Sequence, residues 1–253
     1  MFILENPIES GMIKFVESLY RKSINEILFR CKRSEKSSPV YVFHHIPKCG
    51  GTSLNYLLKQ WFVLIKEYRS GLTGEYPERI DIKRLTSAHC LSGHFETEGY
   101  YLHQRYPELL TSEKYRIFTF VRDPLQVRLS LYRYEKKHYG LAGQSVEENL
   151  LSQSNYLANR FPVTIDTYKE IIDRYFFIGI LEEVQDCINN LAKIIGKKTC
   201  PLPWHNKTSG GYFSDSDKIS DAVIDEFKEK NRLDYMVYEY CLEKYKKFNV
   251  QGV

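Results

Sequence analysis

Residues 41–54 read YVFHHIPKCGGTSL. Tyr41, Val42 and Phe43 are aromatic or β-branched, as a short buried strand requires. Gly50 and Gly51 supply a tight turn, because glycine takes φ > 0 without strain and lets a ligand approach the backbone. Thr52 and Ser53 suit the opening of a helix, whose free N–H groups favour an anion. Lys48 adds a positive charge beside those donors. Together these features predict a phosphate cradle at the end of a strand. The alternative is a plain strand-to-helix turn whose glycines only relieve strain. The loop is not a Walker loop: G-x-x-x-x-G-K-[ST] sets its lysine after the last glycine, and Lys48 precedes both.

Residues 115–134, YRIFTFVRDPLQVRLSLYRY, repeat the order. Ile117, Phe118, Phe120 and Val121 form the apolar run of a buried parallel strand. Asp123 is placed to cap the next helix and Pro124 to open it. Arg122 stands at the strand's carboxyl end, where open α/β sheets bind ligands. Arg128, Ser130 and Arg133 follow on the helix. Arginine can grip phosphate through two parallel hydrogen bonds, and a serine hydroxyl can add a third. Ser130 lies roughly 10 Å along the helix from Asp123, so spacing alone leaves open whether it converges with Arg122.

The two segments resemble a known family. HIPKCGGTSL is similar to the 5′-phosphosulfate loop of sulfotransferases, and VRDPLQVRLSLY to their 3′-phosphate motif. The donor of these enzymes is 3′-phosphoadenosine 5′-phosphosulfate (PAPS). The order HIPKxGGTS, GHF, RDPxxRxxSxY resembles the carbohydrate-type branch that includes heparan sulfate 2-O-sulfotransferase, over about residues 41–211. The resemblance implies that Lys48 contacts the bridging oxygen and neutralises the leaving charge. It implies that the backbone of Cys49, Gly50, Gly51, Thr52 and Ser53, with the last two hydroxyls, cradles the 5′-phosphate. Arg122 and Ser130 would hold the 3′-phosphate. Cys49 stands where the family often has threonine, which removes a hydroxyl but leaves the backbone donor. Asn206, Lys207 and Thr208, in WHNKTSGGYF (204–213), resemble a loop that closes over the nucleotide, with Trp204 or Phe213 to stack on adenine. An ordinary surface loop is the alternative there.

Transfer to a hydroxyl also needs a base. Gly93-His94-Phe95 resembles the family segment whose histidine deprotonates the acceptor, and histidine's ordinary pKa suits the role. A packed or hydrogen-bonded histidine near a strand end is the other reading. His44 and His45 alternate across the strand end, so one should face the cleft and the other pack. His89, Cys90 and His94 match no standard zinc spacing, and the resembled family needs no metal. The reading is therefore a PAPS-dependent sulfotransferase acting on a hydroxyl, in the first place a saccharide, with His94 as base. A P-loop kinase or NTPase, or a non-catalytic nucleotide-binding protein, is the alternative; a kinase should show a lysine after the glycines and a carboxylate for magnesium.

A chain of 253 residues accommodates one large α/β domain. Thirty-six basic against 32 acidic residues leave a net charge of +4, too mild to imply nucleic acid. The six cysteines show no CxxC pair or framework spacing and read as reduced thiols of a cytoplasmic protein. No transmembrane run or signal peptide is evident. Animal members of the resembled branch carry a Golgi anchor, so its absence here suggests a bacterial-type soluble enzyme or a trimmed chain.

The expected fold is α/β, a mainly parallel central sheet flanked by helices, of the P-loop-containing sulfotransferase type. Residues 1–38 form an amphipathic helix and linker, and 39–253 the sulfotransferase domain. Over 11–31 the apolar stripe is Met12, Phe15, Val16, Leu19, Ile24, Ile27 and Leu28, with Lys14, Arg21, Lys22 and Arg30 around it. Packing on the domain is the simplest use of that stripe; peripheral contact with a membrane is the other. A helix is expected from Ser53 to Glu67, irregular chain over 68–84, a strand at Phe176–Ile180, a helix through Ile195, and final helices over 216–231 and 233–247. Arg69, Arg79, Lys83, Arg84 and Arg105 could receive an acidic saccharide or form a solvated face.

Overall fold

The computed structural model describes residues 7–31, 36, 39–71, 73–140, 144–202 and 219–250. Helix α1 (Pro7–Arg30) precedes a sheet of β1 (Val40–His44), β2 (Val63–Glu67), β3 (His89–Gly93), β4 (Tyr115–Val121) and β5 (Phe177–Ile180). Helix α2 (Gly51–Trp61) joins β1 to β2, and the short α3 (Leu102–Arg105) lies between β3 and β4. Among the described residues the stretch before β5 holds α4 (Pro124–Tyr139), α5 (Val146–Leu151), α6 (Tyr156–Arg160) and α7 (Tyr168–Asp173). Helices α8 (Val184–Ile194), α9 (Asp221–Lys230) and α10 (Arg232–Val250) follow.

All strand pairings are parallel, in the order β2-β3-β1-β4-β5. Every residue of β1, β3 and β5 is buried, as strands covered on both faces should be. The chain leaves central β1 for the edge, returns through β3, and crosses to β4 on the other side. The switch point therefore lies at the carboxyl end of β1, between β3 and β4, where such sheets open a crevice for ligands.

Two expectations need correction. The helix expected to reach Glu67 stops at Trp61, where Phe62 turns extended (φ −139°, ψ 158°), and Val63–Glu67 is the edge strand β2. Helix α1 does pack on the domain, but mainly by the opposite face, with Leu28 of the stripe packed on the core. Arg21 donates to the Tyr68 carbonyl (2.9 Å), Ser70 to Glu17 (2.5 Å), Lys14 pairs with Glu75 (2.6 Å), and Arg84 with Glu26 (2.5 Å). Most of the apolar stripe is left at solvent.

Helix α6 is held by a carboxylate from a distant helix. Buried Asp234 accepts from the amides of Leu157 (2.9 Å) and Ala158 (2.7 Å). Its removal leaves two buried amides unpaired, so Asp234→Ala should cost about 2 kcal/mol. A urea titration should show a lowered midpoint at unchanged slope; an unmoved midpoint would mean that α6 is fixed by packing alone.

Candidate functional site

The loop after β1 is built by internal packing as much as by its open donors. Gly50 has φ +80° and takes the N-cap place of α2 with no side-chain cap. A Cβ on Gly50 would fall 2.5 Å from Leu181 Cδ1, and one on Gly51 would fall 1.6 Å from His45 Nε2. The bare Cα atoms thus make room for Leu181 and His45, and of the two glycines Gly50 alone takes the positive φ expected of both. The first rung of α2 is Leu54 N–H to the Gly50 carbonyl, 3.1 Å. The amides of Gly51 and Thr52 precede that rung and have no carbonyl a turn earlier. Thr52 is exposed, while Ser53 and Cys49 are buried. Burial pushes the Cys49 thiol up to about 12, so it stays protonated.

Lys48 adopts φ +68°, a conformation that costs an ordinary residue about 1–2 kcal/mol and that recurs where a loop is shaped for a ligand. Its amine lies 4.3 Å from the centre of the Tyr134 ring on α4. Burial, then the Arg122 guanidinium, lowers its pKa. Arg122, at the end of β4, points Nη1 toward the Lys48 carbonyl at 3.5 Å. Two cations from adjacent strand ends therefore lie close enough to repel, and an anion beside both would relieve that repulsion. Ser130 is half-buried one turn before Tyr134 on α4, so it shares the helix face that meets Lys48. Asp123 caps α4 as expected, accepting from Gln126 N–H at 2.9 Å.

The histidines divide as alternation predicts. His44 is buried, bonded to the Tyr175 hydroxyl at 2.7 Å, and burial lowers its pKa to about 3. His45 faces the cleft side: its Nδ1 lies 3.0 Å from the Tyr68 hydroxyl and 3.1 Å from His94 Nε2. Tyr68 is locked in a ring of polar contacts. Asn55 donates to its hydroxyl (2.7 Å), Ser92 donates to Asn55 Oδ1 (2.7 Å), and Ser92 lies 2.6 Å from the Tyr68 oxygen. When Tyr68 donates to Ser92, each of these three groups gives and receives one proton. His45 Nδ1–H is then left to donate, and His94 Nε2 can accept it. His94 Nδ1 faces Glu96 at 4.0 Å, and Arg160 holds Glu96 at 3.2 Å. Burial lowers the His94 pKa to about 4 against the opposing pull of Glu96. His94 is thus neutral across the physiological range, with Nε2 an acceptor of weaker basicity than an ordinary imidazole.

The structure therefore brings Lys48, the glycine loop, Arg122 and His94 to the carboxyl ends of β1, β3 and β4, with Ser130 about two turns into α4. It withdraws others. Buried Arg128 spends its guanidinium on the Asn149 carbonyl (2.8 Å) and on Ser152 (2.9 Å), closing the end of α5 rather than facing a phosphate. Arg84 pairs with Glu26, Arg79 with Glu108, and Arg105 with buried Glu67, so much of the expected basic patch is neutralised internally. His89 bonds around Thr86 and the Leu28 carbonyl at the opposite end of β3 from His94. Trp204, Asn206, Lys207, Thr208 and Phe213 lie outside the described residues. Tyr68, Asn55 and Ser92 escaped the sequence reading. Recognising β2 would have put Tyr68 at a strand's carboxyl end and so in the crevice.

No family model matches the chain, and no curated protein matches it. Among solved structures it is similar to a sulfotransferase from Alicyclobacillus acidocaldarius, with TM-score 0.51 and 14% identity over 79% of this chain and 96% of that one. It is also similar to mouse sulfotransferase SULT7A1 complexed with PAP, with TM-score 0.47 and 14% identity over 82% of this chain and 91% of that one. The chain has the fold of the first of these, a parallel α/β sheet flanked by helices, carried by strands whose order places the glycine loop at its switch point.

Proposed function

We propose that the protein transfers a sulfuryl group from PAPS to an acceptor hydroxyl. The observation that carries this reading is the meeting of Lys48 and Arg122 over the glycine loop, one strand away from a neutral histidine. The loop amides and Lys48 fit the 5′-phosphosulfate, while Arg122 and Ser130 fit the 3′-phosphate that distinguishes this donor from ATP. The acceptor oxygen attacks sulfur in line, and the bond from sulfur to the 5′-phosphate oxygen breaks. That oxygen keeps the electron pair, and Lys48 and the amides stabilise its charge. His94 takes the acceptor proton at Nε2, which requires the acceptor hydroxyl to replace the His45 donor there. The products are a sulfate ester and 3′,5′-adenosine bisphosphate. A saccharide is the acceptor class implied by the motif order, and no nucleic acid or metal is called for.

Thermal shift with 3′,5′-adenosine bisphosphate against ATP with magnesium tests the donor site. A ligand at 100 times its Kd adds about 2.7 kcal/mol, which moves the melting temperature measurably. Stabilisation by the bisphosphate, lost in Arg122→Ala, is expected. Stabilisation by magnesium-ATP alone would replace this reading with a kinase.

A further inference from the structure

Helix α1 wears its amphipathic pattern inside out. Met12, Phe15, Val16, Leu19, Tyr20 and Ile27 recur at i, i+3, i+4, i+7, i+8 and i+15, which is one face of a helix. That face is at solvent: these side chains are between 49% and 66% exposed. At roughly 100 Å² of open surface per side chain, the stripe spans on the order of 600 Å², at the upper end of what a monomer leaves contiguous. The opposite face is fastened to the domain through Glu17 and Arg21 and, toward the end of the helix, through buried Phe29 and Leu28 packed on the core, while Glu26 pairs with Arg84.

The fastening also sorts the charges. Glu17 and Glu26 are the acidic residues of α1 from Met12 onward. Glu17 is engaged by Ser70 and Arg21, and Glu26 by Arg84. Lys22 and Arg30 remain exposed beside the stripe, and the sequence continues with Lys32, Arg33 and Lys36. An apolar face bordered by basic groups matches the boundary between acyl chains and anionic headgroups. A second copy of the chain would instead set these cations against their own kind. Among the described residues no helix is long and apolar enough to cross a membrane, so contact would be in the plane of the surface.

We propose that the exposed face of α1 docks on an anionic bilayer surface, with Met12 to Ile27 at the acyl boundary and Lys22 and Arg30 at the headgroups. Arg21 bonds the same helix to the Tyr68 carbonyl, so a docked α1 is joined directly to a segment of the candidate site. The proposal does not depend on the reaction catalysed.

Sedimentation with phosphatidylcholine vesicles, with and without about a third phosphatidylserine, is the test, run on the full chain. Binding to the anionic vesicles is expected, weakened by salt and about tenfold or more by the pair Val16→Glu and Leu19→Glu. Lys22→Glu with Arg30→Glu should weaken it severalfold. All four positions are exposed, so melting temperature should hold, which separates lost docking from lost folding. Equal vesicle binding by the Val16/Leu19 pair would overturn the proposal in favour of electrostatics alone. Absence of vesicle binding would also overturn it; a solution dimer dissociated by that pair, read by light scattering, would then assign the face to a second copy.

Discussion

His94→Ala is expected to lower the turnover number for sulfuryl transfer by about 10²–10⁴, the range for losing a positioned general base, while leaving affinity for 3′,5′-adenosine bisphosphate nearly unchanged. The separation follows from the sheet. His94 follows β3, whereas the donor residues follow β1 and β4, so deleting its imidazole leaves the phosphate contacts in place. The pH profile supplies a second readout. Burial holds the His94 pKa near 4, so the base is deprotonated above that value and turnover should fall as pH drops through about 4, not through the usual 6.5. The same burial limits the accessible range. His44 and His94 have folded pKa values of about 3 and 4, below the ordinary 6.5, so the unfolded chain takes up protons first. Their stabilising contribution is complete above pH 6.5 and is lost progressively as pH falls toward 3. Rates should therefore be taken where the fold is intact by circular dichroism. Near-normal turnover in His94→Ala would remove the base assignment and leave His94 a packing residue.

The strand ends that carry the candidate site were legible because their signals are local. Glycines beside a lysine after an aromatic run, and Arg-Asp-Pro after a second run, each name a strand end without reference to the rest of the chain. The sheet order, in which β3 and β4 flank β1, is what brings His94 and Arg122 to the same crevice. Where periodicity served two readings, it failed. Leu57, Leu58, Trp61, Leu64 and Ile65 continue a helical stripe, and only the extended turn at Phe62 ends α2 and frees β2. The β-branched Val63 and Ile65 were the available hint. For α1, periodicity correctly reported a stripe, yet it cannot report what faces that stripe. The specific partners of Glu17, Arg21 and Glu26 on distant segments turned the polar side inward. Arg128 does lie on α4 as its spacing indicates, but its guanidinium is taken up by the open end of α5, a partner that spacing on α4 does not reveal.

Gly51→Ala should be the most destabilising small substitution in the loop, costing about 3 kcal/mol or more, at or above the usual upper range for overpacking. The added methyl would stand 1.6 Å from His45 Nε2 and 1.9 Å from its Cδ2, so one side must move. The ring is confined: it stacks on Phe43 with centroids 5.6 Å apart and planes 8° from parallel, and its Nδ1 lies between Tyr68 and His94. Moving α2 instead would pull Leu54, Leu57, Leu58 and Trp61 out of the core. Gly196→Ala supplies the contrast of backbone strain without a clash, since Gly196 has φ +67°, which Gly51 does not share, and no heavy atom within 4 Å of its would-be Cβ; about 1 kcal/mol is expected there. A double-mutant cycle then identifies the clash. His45→Ala made in the Gly51→Ala background should restore part of the lost stability, so that the double variant is more stable than Gly51→Ala alone. Urea midpoints for the four proteins decide it. If Gly51→Ala were no worse than Gly196→Ala, or if His45→Ala gave no rescue, the loop would have room that this packing denies, and Gly51 would be free to serve a ligand alone.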